Sequence, residues 1–463
     1  MTFDEPLVLD PRKSLHLIGI GGVGMSALAG ILARRGFIVS GSDNRDTPVL
    51  GRLRDLGVHT IVGQTREGAT GADQVVISTA IRPGNPELDG ALERGQPVYH
   101  RSQLLAALIE GQQKVAVTGS HGKTTTAAML GRVLIECGRD PTVIVGGDCP
   151  DLEGGNYHLG EEPVAVFEAC ESDGSFLRYG PCSEVITSLE ADHLDQHGCF
   201  ENLRRSFADF IHLVPQEGFL AWGGDCSALA ELAPTARGRL ICFGLNGPED
   251  LSAADIVEEQ FGVTFRVLVD GAEGPACSLA VPGRHNVTNA LATLAAAREL
   301  GVPLQNAAAA LGQFRGVGRR FELIGNLGDA LVVDDYAHHP TEVAATLQTA
   351  RHSFDRRIIA IFQPHLFSRT RDFLEQFAQA LTAADAVIVN DIYAAREDPI
   401  EGVSAAAIAD RVRELAPGLP VSHISDKSDI VAAVRPMIRP GDLVITLGAG
   451  DIRRVAEALV QEA

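Results

Sequence analysis

A lysine and a threonine follow a glycine-rich turn at residues 119–124, Gly-Ser-His-Gly-Lys-Thr. The apolar run at residues 115–118 predicts a buried strand before the turn, and the residues after it predict a helix. Backbone N–H groups at the start of such a helix face an anion, Lys123 reaches the outer phosphates and Thr124 holds Mg²⁺. Val117 replaces the first glycine of the usual P-loop, so the loop is a shortened variant. The pattern predicts a nucleoside triphosphate site, and the alternative is a strand–turn–helix corner with an incidental lysine. The predicted site comprises Gly119, Ser120, His121, Gly122, Lys123, Thr124 and Thr125.

A second glycine turn, Gly19-Ile-Gly-Gly-Val-Gly24, follows a predicted strand and opens a predicted helix. Asp43 stands roughly 20 residues further on, after another strand, which is the spacing of the dinucleotide-binding fingerprint. The glycines predict a diphosphate at the helix N-terminus, and Asp43 suits a ribose hydroxyl. NAD is one candidate among the nucleotide diphosphates, and close packing of helix on strand is the alternative that needs no ligand.

Acidic and histidine residues follow two further predicted strands of the same block. Glu168 ends the strand at residues 164–168, where a carboxylate beside a P-loop strand suits Mg²⁺; an acidic capping loop is the alternative. His193 and His197 have the i, i+4 spacing of some zinc sites, but no third ligand is evident. We expect His193 to serve Mg²⁺ and phosphate, and His197 to lie at the surface or behind the site.

Polar side chains also flank the end of the second block. Asn286 and Asn289 fall on one face of the first turn of a predicted helix. Their amides suit an adenine edge or, for Asn286, a helix cap. Arg319 and Arg320 offer fixed positive charge to a transferring phosphoryl group, or else form a surface salt bridge.

Two motifs of the third block follow neighbouring predicted strands. Residues 334–342 read Asp-Asp-Tyr-Ala-His-His-Pro-Thr-Glu, and residues 362–371 read Phe-Gln-Pro-His-Leu-Phe-Ser-Arg-Thr-Arg. Open α/β sheets bind ligands at the carboxyl ends of their strands. The histidines, the tyrosine and the arginines of these motifs therefore predict a second site.

The elements that must position these residues fall into three blocks with a strand–turn–helix rhythm. This rhythm predicts an α/β fold of three domains, each built on a mainly parallel sheet, at residues 1–112, 113–322 and 323–463. Residues 325–328, Gly-Asn-Leu-Gly, predict a turn at a hinge. The strand candidates are residues 15–18, 37–40, 75–78, 142–145, 164–168, 184–188, 219–222, 240–243, 330–334, 357–362, 386–389, 421–424 and 443–447, with a helix from about residue 286 to 299.

The composition excludes several functional classes. The chain has 463 residues, 45% of them hydrophobic, and a net charge of −21, which argues against nucleic-acid binding and attachment to membrane surfaces. Its eight cysteines are scattered, so we expect free thiols rather than disulfides or a zinc site. The acidic N-terminus does not read as a signal peptide and no run approaches a membrane span. We therefore expect a cytoplasmic protein.

In this order, the motifs resemble those of the Mur ligase family, and within it the branch that attaches L-alanine to UDP-N-acetylmuramate. The resemblance covers essentially the whole chain. It implies a Rossmann-like N-terminal domain for the UDP-sugar, a central P-loop ATPase-like domain and a Rossmann-like C-terminal domain for the amino acid. The motifs that carry it are Gly-Ile-Gly-Gly-Val-Gly-Met-Ser, Thr-Gly-Ser-His-Gly-Lys-Thr-Thr-Thr, Glu-Ser-Asp-Gly-Ser-Phe-Leu, Glu-Ala-Asp-His-Leu-Asp, Arg-Arg-Phe-Glu and Asp-Asp-Tyr-Ala-His-His-Pro-Thr-Glu.

The resemblance also implies roles for the matching residues. Those facing the UDP-sugar are Gly21, Gly22, Gly24, Met25, Ser26 and Asp43. Those joining the glycine-rich turn at ATP are His285, Asn286, Asn289, Arg320 and Asp335. Those serving Mg²⁺ or Mn²⁺ are Thr124, Glu168 and His193. Those facing the acyl and amino-acid substrates are Tyr336, His338, His365, Arg369 and Arg371. Those expected to act in catalysis are Lys123, His193, Arg320, His338 and His365.

Two departures from the family pattern bear on these roles. Many relatives have Arg-Tyr where this chain has Leu366-Phe367, which leaves Arg369 and Arg371 as candidates for binding a carboxylate. Other members carry a carbamylated lysine between their metals, but this chain has no lysine between Lys123 and Lys427. The alanine-adding branch also lacks that lysine.

The resemblance implies that the γ-phosphoryl group of ATP is transferred to the muramyl carboxylate, giving an acyl phosphate and ADP. The amine of L-alanine then attacks and phosphate leaves, within a cleft that domain closure shields from water. We expect either His338 or His365 to help deprotonate the amine, and the sequence does not choose between them. The alternatives are a family member that attaches a preformed peptide, an NAD-dependent oxidoreductase, and a non-catalytic P-loop switch. We expect a monomer or a weak homodimer.

Overall fold

Three β-sheets flanked by helices make up the protein, as the computed structural model of residues 5–247 and 249–461 shows. Residues 5–253, 267–275 and 288–314 form one compact unit, and residues 254–266, 276–287 and 315–461 form a second. The mainly parallel sheets confirm the predicted α/β class. The predicted domain boundaries after residues 112 and 322 stay predictions.

The N-terminal sheet has five parallel strands. Its strands are β1 (Ser14–Ile18), β2 (Ile38–Asp43), β3 (His59–Val62), β4 (Gln74–Ile77) and β5 (Val98–His100). Its helices are α1 (Val23–Arg34), α2 (Pro48–Asp55), α3 (Pro86–Glu93) and α4 (Arg101–Leu108). The strand order β3-β2-β1-β4-β5 reverses direction between β1 and β4. A crevice opens at the carboxyl ends of strands at such a switch point, and the turn at Gly19–Gly24 follows β1 directly.

The central sheet has ten strands. They are β6 (Gln113–Thr118), β7 (Thr142–Ile144), β8 (Tyr157–His158), β9 (Val164–Glu168), β10 (Ser183–Ile186), β11 (Phe219–Gly223), β12 (Arg239–Phe243), β13 (Leu251–Glu259), β14 (Gly262–Val269) and β15 (Ala272–Leu279). The helices of this part of the chain are α5 (Lys123–Glu136), α6 (Leu194–His197), α7 (Phe200–Ile211), α8 (Ser227–Leu232), α9 (Arg284–Glu299) and α10 (Leu304–Leu311).

The central strands run in the order β15-β14-β13-β12-β11-β10-β6-β9-β7-β8. The P-loop strand β6 lies between β9 and β10 and is parallel to both. The carboxyl ends of these three strands therefore meet at one edge of the sheet, where they deliver the glycine-rich turn and the acidic and histidine loops.

The C-terminal sheet has six strands in the order β16-β17-β21-β18-β19-β20. They are β16 (Glu322–Leu327), β17 (Ala330–Asp335), β18 (Ile358–Phe362), β19 (Ala386–Val389), β20 (Val421–His423) and β21 (Leu443–Leu447). The helices are α11 (Pro340–Ser353), α12 (Phe367–Asp372), α13 (Leu374–Leu381), α14 (Ala405–Leu415), α15 (Lys427–Val434) and α16 (Arg453–Gln461). All five residues of β18 and of β21 are buried, as continuous apolar runs in a covered parallel sheet require.

The predicted hinge at residues 325–328 is wrong, because most of it belongs to strand β16. Gly325 pairs with Val332 and Asn326 with Leu331 in an antiparallel ladder. A Cβ atom on Gly325 would lie 2.7 Å from Val460 of α16. The glycine therefore permits close packing of the helix on the sheet, and the turn itself comes at Gly328.

One apolar cluster runs beneath both the N-terminal and the central sheet. It contains Leu17 and Leu28 of the first sheet's layer together with Phe167 and Phe207 of the second. Tyr157 lies so close to Gly30 of α1 that a Cβ atom there would clash with its ring. The two layers therefore share a common core within the first compact unit.

No helix in the described part of the chain is long and apolar enough to cross a membrane.

Candidate active site

The glycine-rich turn between β6 and α5 has the backbone of an anion-binding loop. Gly119 has φ +129° and Gly122, which caps α5, has φ +79°, values that residues with a side chain rarely adopt. A Cβ atom on Gly119 would also lie 2.8 Å from the backbone nitrogen of Ser188. The hydroxyl of Ser120 accepts a hydrogen bond from the backbone N–H of Glu190 at 2.8 Å. The loop after β10 thus fixes the turn from outside.

Lys123 lies at the centre of this turn with 12% of its side chain exposed. Its Nζ donates to the carbonyls of Gly119 at 2.5 Å and Ser120 at 3.1 Å, and to Glu171 Oε1 at 3.0 Å. Burial lowers the pKa of Lys123, but the negative charges of Glu171 and its neighbours outweigh burial and raise that pKa above its ordinary value. Lys123 is therefore a fixed cation.

Thr124 and Glu168, both predicted metal ligands, are in direct contact. The Thr124 hydroxyl donates to Glu168 Oε2 at 2.7 Å, and the backbone N–H of Gly146 donates to the same oxygen at 2.8 Å. The carboxylate at the end of β9 is thus held against the first turn of α5. Thr125, next in the helix, is 8% exposed.

Glu171 was not predicted from the sequence, yet its carboxylate lies close to both Lys123 and His193. Its Oε1 lies 3.6 Å from Nε2 of His193. Its Oε2 is buried and has no hydrogen-bond partner among the described residues. His197 hydrogen-bonds to the backbone carbonyl of Glu171 at 2.9 Å, which supports the expectation that it lies behind the site. His193 adopts φ +54°.

His121 points to the same loop after β10. Its Nε2 lies 3.4 Å from Oε2 of Glu190. The hydroxyl of Thr187 donates to the carbonyl of His121, so the residue is tied to the segment after β10 at both its backbone and its side chain.

The three residues expected at adenine differ in the groups that they contact. Asn289 packs against Gly122, and its Oδ1 accepts from the hydroxyl of Thr126 at 3.3 Å, so it contacts the phosphate loop. Asn286 donates from its side-chain amide to the carbonyl of Pro282 at 2.7 Å, whereas a helix cap accepts from a backbone N–H. His285 is exposed and lies over Gly283, whose added Cβ would be 2.7 Å from the imidazole.

The N-terminal glycine turn is tied to Asp43. Asp43 Oδ2 accepts from the backbone N–H of Gly21 at 3.0 Å, and an added Cβ on Gly21 would lie 2.8 Å from that oxygen. Gly22 is the N-cap of α1 and is exposed. Gly24 adjoins Arg101: a Cβ on Gly24 would lie 3.4 Å from Arg101 Nη1. The α1 N-terminus is therefore open to an anion.

Two residues predicted to face the UDP-sugar have buried side chains. Met25 is 2% exposed and belongs to the shared core. Ser26 is 4% exposed; its hydroxyl donates to the carbonyl of Val23 at 3.0 Å and accepts from Asn156 at 2.9 Å. Their side chains serve packing between the two layers, which leaves backbone groups as their means of reaching a ligand.

The two arginines before β16 differ in what their guanidinium groups do. Arg319 donates to Asp334 at 3.0 Å and to the carbonyls of Gly448 at 2.7 Å and Gly450 at 3.1 Å. Arg320 lies over the ring of Tyr336 at 5.2 Å and its Nη1 is 3.6 Å from Glu342, with 31% of its side chain exposed. Arg319 therefore stabilises the fold, while Arg320 can reach a ligand.

Asp335 joins the loops on either side of it. Its two oxygens accept from the backbone N–H groups of Phe321 at 2.8 Å and Ala337 at 2.7 Å. Burial raises the pKa of Asp335 to about 6, against the opposing charge of Arg320. The carboxyl group is 7% exposed, so it orders the loop that carries Tyr336.

An aromatic row lies at the carboxyl ends of β17 and β18. The ring of His338 is 5.3 Å from that of Tyr336 and 5.8 Å from that of His365. Tyr393, which the sequence did not single out, stacks on His365 at 5.8 Å and an interplanar angle of 15°. The predicted second site is thus brought together, with Tyr393 added to it.

The histidines of this row differ in their hydrogen bonds. Nδ1 of His338 lies 3.0 Å from the carbonyl of Tyr336. A carbonyl can only accept, so Nδ1 carries the proton, and in the neutral ring Nε2 has the lone pair. Nδ1 of His365 lies 3.3 Å from Arg369, which can only donate. The neutral ring of His365 therefore carries its proton on Nε2.

Arg369 and Arg371 point to opposite sides of α12. Arg369 is 5% exposed and reaches His365, whereas the side chain of Arg371 is 55% exposed and pairs with Asp372 at 2.7 Å. Positions i and i+2 do not share a helix face. The structure therefore includes Arg369 in the cluster and leaves Arg371 outside it.

Comparisons with known proteins agree over nearly the whole chain. Models described as "Mur ligase family, catalytic domain", "Mur ligase middle domain" and "Mur ligase, glutamate ligase domain" match residues 14–113, 117–297 and 319–450. A UDP-N-acetylmuramate–L-alanine ligase from Geotalea uraniireducens is 41% identical over 450 residues, covering 97% of this chain and 98% of the relative.

Solved structures give the same picture. The UDP-N-acetylmuramate-alanine ligase MurC of Thermotoga maritima has a TM-score of 0.84 at 30% identity, covering 97% of this chain and 99% of that one. A murein peptide ligase from Psychrobacter arcticus has a TM-score of 0.73 at 25% identity, with coverages of 97% and 98%.

Proposed function

The chain belongs to the Mur ligase family, and from this premise we propose that it joins L-alanine to the lactyl carboxylate of UDP-N-acetylmuramate. ATP is converted to ADP and phosphate, and the product is a peptidoglycan precursor. The observation that carries the proposal is 41% identity over 97% of the chain to a ligase of that name. We place the reaction in the cytoplasm, where ATP and nucleotide sugars are available.

The chemical problem is that a carboxylate is a poor electrophile. Transfer of the γ-phosphoryl group of ATP forms a carboxyl–phosphate bond and breaks the bond to ADP, which gives an acyl phosphate. We assign Lys123 to the phosphate oxygens, because its charge is fixed at the start of α5 where backbone N–H groups already favour anions. Arg320 is the second cation assigned to these oxygens, since Arg319 is committed to three partners of the fold.

The residues around Lys123 fit a divalent cation. Glu171 Oε2 is buried and has no partner among the described residues, and a buried oxygen of this kind is costly unless a cation or donor meets it. We assign Glu171, Glu168, Thr124 and His193 to Mg²⁺ or Mn²⁺. When bound, the metal ion would offset negative charge on the phosphate oxygens.

The second step needs an uncharged amine, and the hydrogen bonds favour His338 over His365 as its base. Nε2 of His338 has the lone pair and makes no hydrogen bond to a described residue. Glu342, 3.1 Å from Nδ1 of the same ring, stabilises the imidazolium that forms. We assign Arg369 to the carboxylate of alanine, where Leu366-Phe367 provides no charge.

Two alternatives have weaker support. The first is a ligase that attaches a preformed peptide; the murein peptide ligase of Psychrobacter arcticus has a TM-score of 0.73, below the 0.84 of the alanine ligase. An NAD-dependent oxidoreductase explains only the turn at Gly19–Gly24 and Asp43, and it leaves the P-loop without a role.

The proposal is tested by following inorganic phosphate with ATP, Mg²⁺ and UDP-N-acetylmuramate as single amino acids are added. Release that depends on L-alanine, with ADP as the other product, is the expected result. Glycine and serine should react more slowly by about 10- to 200-fold, because a small pocket discriminates weakly. Release of AMP and pyrophosphate, or no release, would overturn the proposal, and dependence on a peptide would favour the first alternative.

A further inference from the structure

Arg101 occupies the first position of α4, where the chain leaves β5. A capping box holds this position: the His100 ring accepts from the backbone N–H of Ser102 at 3.3 Å, and the Gln103 side chain accepts from that of His100 at 2.7 Å. Burial lowers the pKa of His100 to about 4, so its ring is neutral and able to accept. The backbone of Arg101 is therefore fixed.

The position of Arg101 in the sheet brings its side chain to the nucleotide-binding crevice. β5 neighbours β4, and β4 neighbours β1, so the carboxyl end of β5 adjoins the switch point. Its Nη1 lies within 3.4 Å of where a Cβ on Gly24 would be. The guanidinium group thus reaches the first turn of α1, beside the turn at Gly19–Gly24.

The guanidinium group has donors to spare. Arg101 is partly buried, yet within the described ranges no hydrogen bond and no ion pair joins its side chain to another residue. Arg34 of α1 and Arg52 of α2 are paired with Glu153 at 2.7 Å and Asp148 at 3.0 Å. The negative charges of Asp173 and Glu168 favour the charge of Arg101 from nearby, but its N–H donors meet no hydrogen-bond acceptor among the described residues, and a bound anion would supply one.

We propose that the side chain of Arg101 binds the diphosphate of the nucleotide sugar opposite the N-terminus of α1. The inference rests on the proposed function, because it takes UDP-N-acetylmuramate as the ligand. The helix end supplies N–H donors and a partial positive charge, and arginine adds a full charge with a planar pair of donors suited to phosphate oxygens. The diphosphate is favoured over the lactyl carboxylate because Arg101 adjoins Gly24, whereas the carboxylate must reach the phosphate held at Lys123.

The test measures binding by titration calorimetry with three ligands: UDP, UDP-N-acetylglucosamine and UDP-N-acetylmuramate. The first two lack the lactyl carboxylate. Arg101→Gln should weaken binding of all three by a similar factor of roughly 10- to 100-fold, and Arg101→Lys by less. Arg12→Gln is the matched control, because Arg12 is 89% exposed and, among the described residues, pairs with Asp10 alone.

Each outcome decides the assignment. Unchanged affinities in Arg101→Gln would overturn it, and so would a loss confined to UDP-N-acetylmuramate, which would assign Arg101 to the carboxylate instead. ATP affinity and melting temperature report whether the variant is folded; if Arg101→Gln is not, Arg101→Lys decides by the same comparison. Wild-type protein that binds UDP but releases no phosphate with L-alanine would refute the proposed function, while these titrations would still decide the role of Arg101.

Discussion

Lys123 and Glu171 form an ion pair at the start of α5, with Nζ 3.0 Å from Oε1 of the carboxylate. The other oxygen of Glu171 is buried and meets no donor in the described residues. One carboxylate thus holds the lysine with one oxygen and leaves the other for a cation. This arrangement links the phosphate-binding and metal-binding roles assigned to the site.

Replacing Glu171 with glutamine should weaken the use of Mg²⁺. The amide keeps the size of the side chain but removes the charge, so the Mg²⁺ concentration for half-maximal phosphate release should rise by at least about tenfold. Phosphate release measured against Mg²⁺ concentration checks this. Glu201→Gln on α7, where the side chain is 70% exposed, is the control and should match the wild type. Equal Mg²⁺ dependence in both variants would contradict the assignment of Glu171.

His338 and His365 should respond differently to replacement. Loss of a general base costs about 10²- to 10⁴-fold in rate, so His338→Gln should lower kcat by that factor. His365→Gln removes an acceptor of Arg369 and should mainly raise the KM for L-alanine. Steady-state kinetics across pH 6 to 9 measure both effects. The opposite pattern would make His365 the base.

The two arginines of α12 provide a matched pair. Arg369→Gln should raise the KM for L-alanine by roughly 10- to 100-fold, because a charged hydrogen bond to the substrate carboxylate is lost. Arg371→Gln should stay within about twofold of the wild type, since its side chain is exposed. Arg369→Lys, which keeps the charge, separates substrate binding from misfolding. A larger effect at Arg371 would refute the assignment of Arg369.

Glu184 of β10 should make stability fall as pH rises. The side chain is fully buried, and neither oxygen has a partner in the described residues. Burial raises the pKa of Glu184 well above its ordinary value, so the folded state keeps a proton that the unfolded state loses above about pH 4.5. The stabilisation that the protonated Glu184 contributes is complete below about pH 4.5. As the pH rises from there to the pKa of Glu184 in the folded state, the free energy of unfolding falls by up to about 1.4 kcal/mol per pH unit.

The variant Glu184→Gln has no titrating proton at this position, so its free energy of unfolding should change less with pH than that of the wild type. Urea unfolding of the variant and the wild type between pH 5 and 8 measures the free energy of unfolding. Glu201→Gln again serves as the control, and its curve should run parallel to that of the wild type. A Glu184→Gln curve parallel to both would show that Glu184 ionises normally in the folded protein.

Buried parallel strands were the part of the fold that could be predicted from the sequence. β9 and β21 are apolar runs with the predicted bounds, because both faces of these strands are covered. β13 was missed because it is only partly buried and carries acidic residues, so its sequence has no apolar run.

The site residues that are neighbours in the sequence could be predicted. The residues that folded loops bring together from separate segments could not. Lys123 and Thr124 follow from a local pattern. Glu171 stands three positions beyond β9, and only the folded loop brings it to Lys123. Tyr393 lies on a different loop from His365, and the bridge between their backbones has no signature in either segment.

The apolar cluster that extends from Leu17 to Phe207 sets a limit on dissection of the enzyme. A fragment ending near residue 112 would present to water the face that Phe167 and Tyr157 now cover, and this surface favours aggregation. The first two layers should therefore melt as one cooperative transition. A chimera that takes its N-terminal segment from a relative should fold only when the residues of the apolar cluster in both layers are exchanged together.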